Sequence, residues 1–145
     1  MRIEAASVGD LATVRTLLAD AGLPVDDLHD ARPSHFLVAR EADGAVIGVI
    51  GLERYDKAGL LRSLAVQTAS HRQGLGAQLT EALERHAGAM GVETLYLLTT
   101  TAKHFFAAHG YQYVERGRVP KAIADTAEFK SLCPSTAACM CKRLD

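Results

Sequence analysis

The chain reads as an α/β fold, a mixed and mostly antiparallel sheet of about seven strands flanked by helices. Three observations predict it. Strand-like and helical runs follow one another in the order β-α-α-β-β-β-α-β-α-β-β. Turn signals at Asp43-Gly44 and at Asp56-Lys57-Ala58-Gly59 join the middle strands as antiparallel hairpins. The strand–helix–strand passage from Leu60 to Thr99 then makes the sheet mixed.

Each element has a local cause. Arg2–Ala5 is a short first strand. Ser7 is a helix N-cap, and Val8, Leu11, Val14 and Leu18 follow at helical spacing until Gly22 and Pro24 end the helix. Asp26 to Ala31 suggests a short second helix. His35–Arg40 and Ala45–Tyr55 read as the strands of one hairpin, and Leu60–Val66 as the next strand. Gly74 opens a long helix with Leu75, Leu79, Leu83 and Ala87 on one face, and Gly88 and Gly91 lie near its end. Glu93–Thr99 is β-branched and aromatic. Thr101–His109 is a short helix stopped by Gly110. Tyr111–Arg116 reads as a strand, Pro120–Thr126 as a helical turn and Ala137–Lys142 as a last strand.

Composition bounds the function. A chain of 145 residues that is 48% hydrophobic fits one domain, 1–145, with a sizeable core. A formal net charge of −1 argues against nucleic acid as a partner. No apolar run approaches the ~20 residues of a membrane span, and MRIEAASVGD lacks a signal peptide's apolar centre. The three cysteines, Cys133, Cys139 and Cys141, are expected as reduced thiols in a cytoplasmic protein.

The most informative stretch is LLRSLAVQTASHRQGLGAQLTEAL, Leu60 to Leu83. A strand passes through a polar turn into Gly74-Leu75-Gly76, and a helix begins at once. Unpaired first-turn N–H groups and the positive end of the helix dipole make such a turn a phosphate site. A P-loop needs Gly-Lys-Ser/Thr, but Gly76 is followed by Ala77-Gln78. A dinucleotide fingerprint needs a third glycine where Leu79 stands.

What remains resembles the acyl-CoA pyrophosphate loop of the GNAT N-acetyltransferases, Gln/Arg-x-x-Gly-x-Gly/Ala after a strand ending in a small residue and Val. Leu64-Ala65-Val66 and Gly74-Leu75-Gly76 match, while His71 stands where the family has Gln or Arg. Ala102-x-x-Phe105-Phe106-x-x-x-Gly110-Tyr111 is similar to the family's penultimate helix and turn. More narrowly, GLPVDDL, IGLE, LLRSLAV, LYLLTTTA and the tail AEFKSLCPSTAACM resemble the amino-acid N-acetyltransferase-like GNATs of bacterial arsenic-resistance operons. Those are relatives of the acetyltransferase domain of N-acetylglutamate synthases.

The resemblance implies acetyl-CoA as co-substrate and a small amino-acid-like amine as acceptor, with arsenical or phosphinothricin-like amino acids as candidates. It implies that His71, Arg72, Gln73, Gly74, Leu75 and Gly76 hold the pyrophosphate, and that the backbone of Leu64, Ala65 and Val66 holds the pantetheine arm. The side chains of those three residues equally fit a plain core strand. Many family members protonate the leaving thiolate with a tyrosine where this chain has Phe106. Ser63, Tyr96, Tyr111, Tyr113 or water are the remaining donors. A thiol of pKa ~8.5 also leaves without a strong acid.

Charge inside an apolar strand needs a reason. A four-residue turn at Asp56–Gly59 would set Tyr55 against Leu60 and Glu53 against Arg62 as a cross-strand pair. Glu53 would then accept the amine proton, and Arg62 would grip a substrate carboxylate through its bidentate fork. The same pair also reads as a salt bridge at the sheet rim. Lys142 and Arg143 are secondary carboxylate candidates. His71, His104 and His109 lack metal-ligand spacing, so no metal is expected. Cys139 and Cys141 alternate onto one strand face, where soft thiolates would suit As(III) and small core residues would look the same. A protein or peptide N-acetyltransferase and a non-catalytic acyl-CoA sensor remain alternatives, and a homodimer is left open.

Overall fold

The computed structural model describes residues 1–25, 32–68, 74–132, 134 and 136–144. The expected helix at Asp26–Ala31, the loop residues His71, Arg72 and Gln73, and Cys133 lie outside them.

The elements are β1 (Arg2–Ala5), α1 (Leu11–Asp20), β2 (Phe36–Arg40), β3 (Val46–Tyr55), β4 (Ala58–Val66), α2 (Leu75–Ala89), β5 (Thr94–Thr99), α3 (Lys103–Ala108), β6 (Gln112–Tyr113), α4 (Lys121–Ala124) and β7 (Ala138–Arg143). The seven strands form one sheet in the order β1-β2-β3-β4-β5-β7-β6. The chain groups into two compact units, Met1–Leu52 with Ser63–Arg85 and Glu53–Arg62 with His86–Asp145.

In the first unit β1 pairs antiparallel with β2, from Arg2↔Arg40 to Ala5↔Leu37. β2 pairs antiparallel with β3, with a register shift between Ala39 and Arg40. Val14 and Leu18 of α1 bury against Phe36, Val38, Val49 and Ala65. Val8 departs from the helical expectation: it sits in a 3₁₀ turn, Val8–Asp10, and is 77% exposed. The turn rotates it off the face that Val14 and Leu18 share.

The apolar face expected of α2 is present, with Leu75, Leu79, Leu83 and Ala87 all buried. Gly48 on β3 lets the helix come close. A Cβ there would lie 2.9 Å from Leu79 Cδ1, 3.4 Å from Leu75 Cδ2 and 3.5 Å from the Ala65 carbonyl oxygen. The end of β4 and the start of α2 therefore meet over one glycine. Truncating Leu79 to Ala in such packing costs about 2–5 kcal/mol.

In the second unit β5 pairs antiparallel with β7 from Thr94↔Arg143 to Thr99↔Ala138. β6 pairs with β7 through Gln112↔Cys141 and Tyr113↔Met140. β6 is shorter than the expected Tyr111–Arg116, because Arg116–Arg118 turns into a 3₁₀ helix and the Arg116 guanidinium donates to the Phe129 and Pro134 carbonyls. β4 pairs parallel with β5 at Ala58↔Thr94, Gly59↔Leu95 and Leu60↔Tyr96. That ladder ends there, although β4 runs on to Val66 and β5 to Thr99. Leu60, Val119, Ile123, Phe129 and Cys139 form the core, with Tyr55, Tyr96 and Leu98 packed on it.

The turn between β3 and β4 is two residues, Asp56-Lys57, rather than four. Asp56 takes φ 59°, the left-handed region that a tight hairpin demands. Counting from this turn, Tyr55 faces Ala58 and Glu53 faces Leu60. Arg62 then lies diagonal to Glu53 on the same face, still within reach of a long side chain.

Candidate active site

Three acidic and basic side chains from distant parts of the chain converge in the second unit. Arg62 of β4 is 6% exposed. Its Nη1 donates to Glu53 Oε2 of β3 at 2.7 Å, and its Nε lies 3.0 Å from Glu128 Oε2. The Tyr55 hydroxyl donates to the other Glu53 oxygen. Glu128 comes from a π-helical turn, Glu128–Leu132, that follows α4. The side chains of Arg62 and Glu128 are both 5% exposed, whereas that of Glu53 is 24% exposed. Two carboxylates on one guanidinium leave the cluster formally one negative charge in excess. The guanidinium is spread between two partners, and the partly open carboxylate is the group that meets solvent.

Burying ions is costly, and a cluster of this kind holds only where geometry and hydrogen bonds compensate. Removing one partner leaves an uncompensated charge, which costs about 3–5 kcal/mol in buried pairs. Burial pushes the Tyr96 phenol and the Cys139 and Cys141 thiols up from their ordinary values.

Ser63, next along β4, is 7% exposed and takes φ 62°. A non-glycine residue in the left-handed region inside a strand is strained by about 1 kcal/mol or more. It breaks the pleat where β4 passes from Arg62 to Leu64-Ala65-Val66. In the first unit Ala65 is buried, while Leu64 and Val66 are half-buried. Gly74, at φ 68°, turns the chain into α2, and Gln78 N–H donates to its carbonyl at 3.1 Å. Leu75 is buried and anchors the helix, which leaves the backbone of Gly74 and Gly76 at the helix mouth.

The other expected residues divide cleanly. Phe106 is 4% exposed, edge-on to Phe105 and Tyr111 at 5.1 and 5.4 Å. Tyr111 is buried, with Lys142 Nζ 5.5 Å from its ring centre, and Tyr113 is exposed on β6. Lys142 also donates to the His109 carbonyl at 2.9 Å, closing the end of α3. Arg143 is exposed at the end of β7. Among the described residues no three His, Cys, Asp or Glu side chains gather as a metal site, and no helix is long and apolar enough to cross a membrane.

Glu128 is the residue that sequence reasoning missed. It stands in AEFKSL, a stretch without apolar periodicity, and nothing local marks it as buried. The hairpin brought Glu53 and Arg62 together by counting; only the return of the chain after α4 brings Glu128.

A strand with a kinked middle, a glycine turn opening a helix and a sheet of this order together define an acetyltransferase architecture. Residues 32–113 match the model of the acetyltransferase (GNAT) domain, and the chain belongs to that family. Acetyl-CoA is the family's co-substrate. Among curated relatives, the amino-acid acetyltransferase of Pseudomonas syringae pv. tomato is 30% identical over 128 residues, 85% of this chain and 29% of that protein. That of Azotobacter vinelandii is 35% identical over 92 residues, 62% of this chain and 21% of that protein. The chain thus spans under a third of the length of these relatives. Among solved structures, N-acetylglutamate synthase from Neisseria gonorrhoeae, complexed with coenzyme A and N-acetyl-glutamate, superposes with a TM-score of 0.85 at 21% identity. It covers 99% of this chain and 35% of its own. A Mycobacterium tuberculosis protein in complex with CoA superposes with a TM-score of 0.84 at 23% identity, over 100% of both chains.

Proposed function

We propose that the chain is an acetyl-CoA-dependent N-acetyltransferase whose acceptor is the amine of a small amino-acid-like compound. The observation that carries this reading is the buried Arg62 cluster, on the strand that leads toward the glycine turn read as the cofactor segment. Backbone N–H groups at Gly74, Leu75 and Gly76, with His71, Arg72 and Gln73, hold the pyrophosphate. The backbone of Leu64, Ala65 and Val66 aligns the pantetheine arm. Glu53, the exposed member of the cluster, accepts the proton of the acceptor amine, so that nitrogen attacks the thioester carbonyl as a neutral nucleophile. As the carbon–sulfur bond breaks, the Ser63 hydroxyl or water returns a proton to the thiolate. Arg62 is the cation set against the acceptor's carboxylate, which it meets by releasing part of its hold on Glu53.

The chain is read as a single acetyltransferase domain, 1–145. The narrower resemblance favours arsenical or phosphinothricin-like amino acids as acceptors, in a cytoplasmic enzyme active as a monomer or homodimer. Acetyl-CoA consumption with a panel of glutamate, arginine, phosphinothricin, an arsenical amino acid and a peptide tests the acceptor class. Turnover with free amino acids is expected; turnover with the peptide alone would make it a peptide acetyltransferase, and none with any acceptor would leave an acyl-CoA sensor. Gly76→Asp places a carboxylate at the helix mouth, and calorimetry should show at least a tenfold loss of CoA affinity. Unchanged affinity in the folded variant would reject the site.

A further inference from the structure

We infer that Glu128 is a positioning residue for acetyl transfer. It acts through Arg62, setting both the direction of the guanidinium and the charge that Glu53 meets. The inference rests on the reading of Glu53 as the proton acceptor.

The geometry divides the Arg62 guanidinium by edge. Nε, nearest the strand, is held by Glu128 at 3.0 Å, and Nη1 faces Glu53 at 2.7 Å. An arginine fork is planar, so fixing Nε fixes the plane in which Nη1 must lie. Glu128 is itself fixed by the turn that carries it. The next residue, Phe129, is 6% exposed in the core, and the Arg116 guanidinium donates to its carbonyl at 2.8 Å while lying 5.5 Å from its ring.

Charge gives Glu128 its second effect. Glu128 brings a second negative charge to the guanidinium that Glu53 shares, so removing it changes the field at Glu53. The titratable and charged groups packed on this face are Tyr55 on β3, Arg62 on β4, Tyr96 on β5, Cys139 on β7 and Glu128, with Arg116 over Phe129. Tyr96 and Cys139 are kept neutral by burial.

The test is the pH dependence of kcat/KM for the best acceptor in the native protein, Glu53→Gln, Glu128→Gln and Glu128→Asp, with thermal melts to confirm folding. Glu128→Gln should move the acidic limb to lower pH by about one unit. It should also lower kcat about threefold to tenfold, as the base weakens. Glu128→Asp keeps the charge and should leave the limb in place. Glu128→Met removes the same charge at similar length and replaces Glu128→Gln if that variant does not fold. A uniform loss of activity with the limb unmoved would make Glu128 a structural residue and overturn the inference. A limb that survives Glu53→Gln would instead overturn the reading of Glu53 as base, and the inference with it.

Discussion

Two arginines of this chain are each clamped between two carboxylates, and they differ in how deeply the clamp is buried and in where it stands. Arg40, at the end of β2, donates from Nη2 and Nη1 to Asp10 at 2.7 and 3.2 Å and from Nε to Glu4 at 2.9 Å. Arg62, within β4, takes Glu53 and Glu128. Both lie beside a strand irregularity, the register shift at Ala39/Arg40 and the positive φ of Ser63. Such kinks re-aim a side chain, and in both cases they aim an arginine at acids from other elements.

The partners decide the role. Asp10 is closed off: Ser7 N–H and Oγ donate to the oxygen that also takes Arg40, at 2.8 and 2.9 Å. The hydrogen bond from Arg40, aided by Ser7, holds its carboxyl down at about 2. The same contact raises the Arg40 guanidinium further above its ordinary value. That cluster is a staple joining the start of the first helical segment to the sheet. The Arg62 cluster is more deeply buried, yet Glu53 keeps a face toward solvent. Openness alone does not separate the two, since Glu4 is 38% exposed and Glu53 24%. What separates them is depth and place, the Arg62 cluster being the more deeply buried and lying next to Ser63 and Leu64-Ala65-Val66 along β4.

The comparison breaks most sharply at the arginines themselves. Arg62→Met should lower kcat/KM for amino acids tenfold to a hundredfold, about 1.5–3 kcal/mol. An amine without a carboxylate should lose much less. Equal losses for both acceptors would make Arg62 a second staple. Arg40→Met should do the reverse, lowering the midpoint of a denaturant titration. Its kcat/KM should stay within about twofold in the folded protein; a large kinetic loss would erase the distinction.

Ser63→Gly separates strain from chemistry beside Arg62. Glycine accepts φ 62° without cost, so the melting temperature should hold or rise slightly. If the hydroxyl protonates the thiolate, kcat falls severalfold; unchanged kcat assigns the proton to water. The smallest effect belongs to Asp10. Its carboxyl is held below its unfolded value of 3.8, so its stabilisation is complete above that pH and fades as pH falls toward about 2. After solvent screening the contribution is on the order of 1 kcal/mol. Asp10→Asn should flatten the stability curve between those values, and an unchanged curve would remove Asp10 from the staple.

The sequence was legible where physics is local. The four apolar positions of α2, the glycines that end helices and the hairpins all follow from spacing and backbone preference. Glu53 and Arg62 were legible as a pair because one short turn joins their strands, although the turn is two residues and the pair diagonal. Glu128 was not legible, because its burial depends on where the chain returns after α4. The Arg40 cluster left a trace in the Ser7-x-x-Asp10 spacing of a capping box, but its arginine comes from another strand.

The two-residue turn at Asp56-Lys57 also acts as a ruler. Side chains on adjacent strands share a face only when the loop between them has the right parity. If the turn stayed at two residues and one residue were inserted after Asp56, Lys57 would join β4, the pairing would slip by one residue, and Glu53 and Arg62 would point to opposite sides of the sheet. What the hairpin has to keep is the pairing that its two-residue turn sets, because a change that slipped it would part the proposed proton acceptor from its arginine.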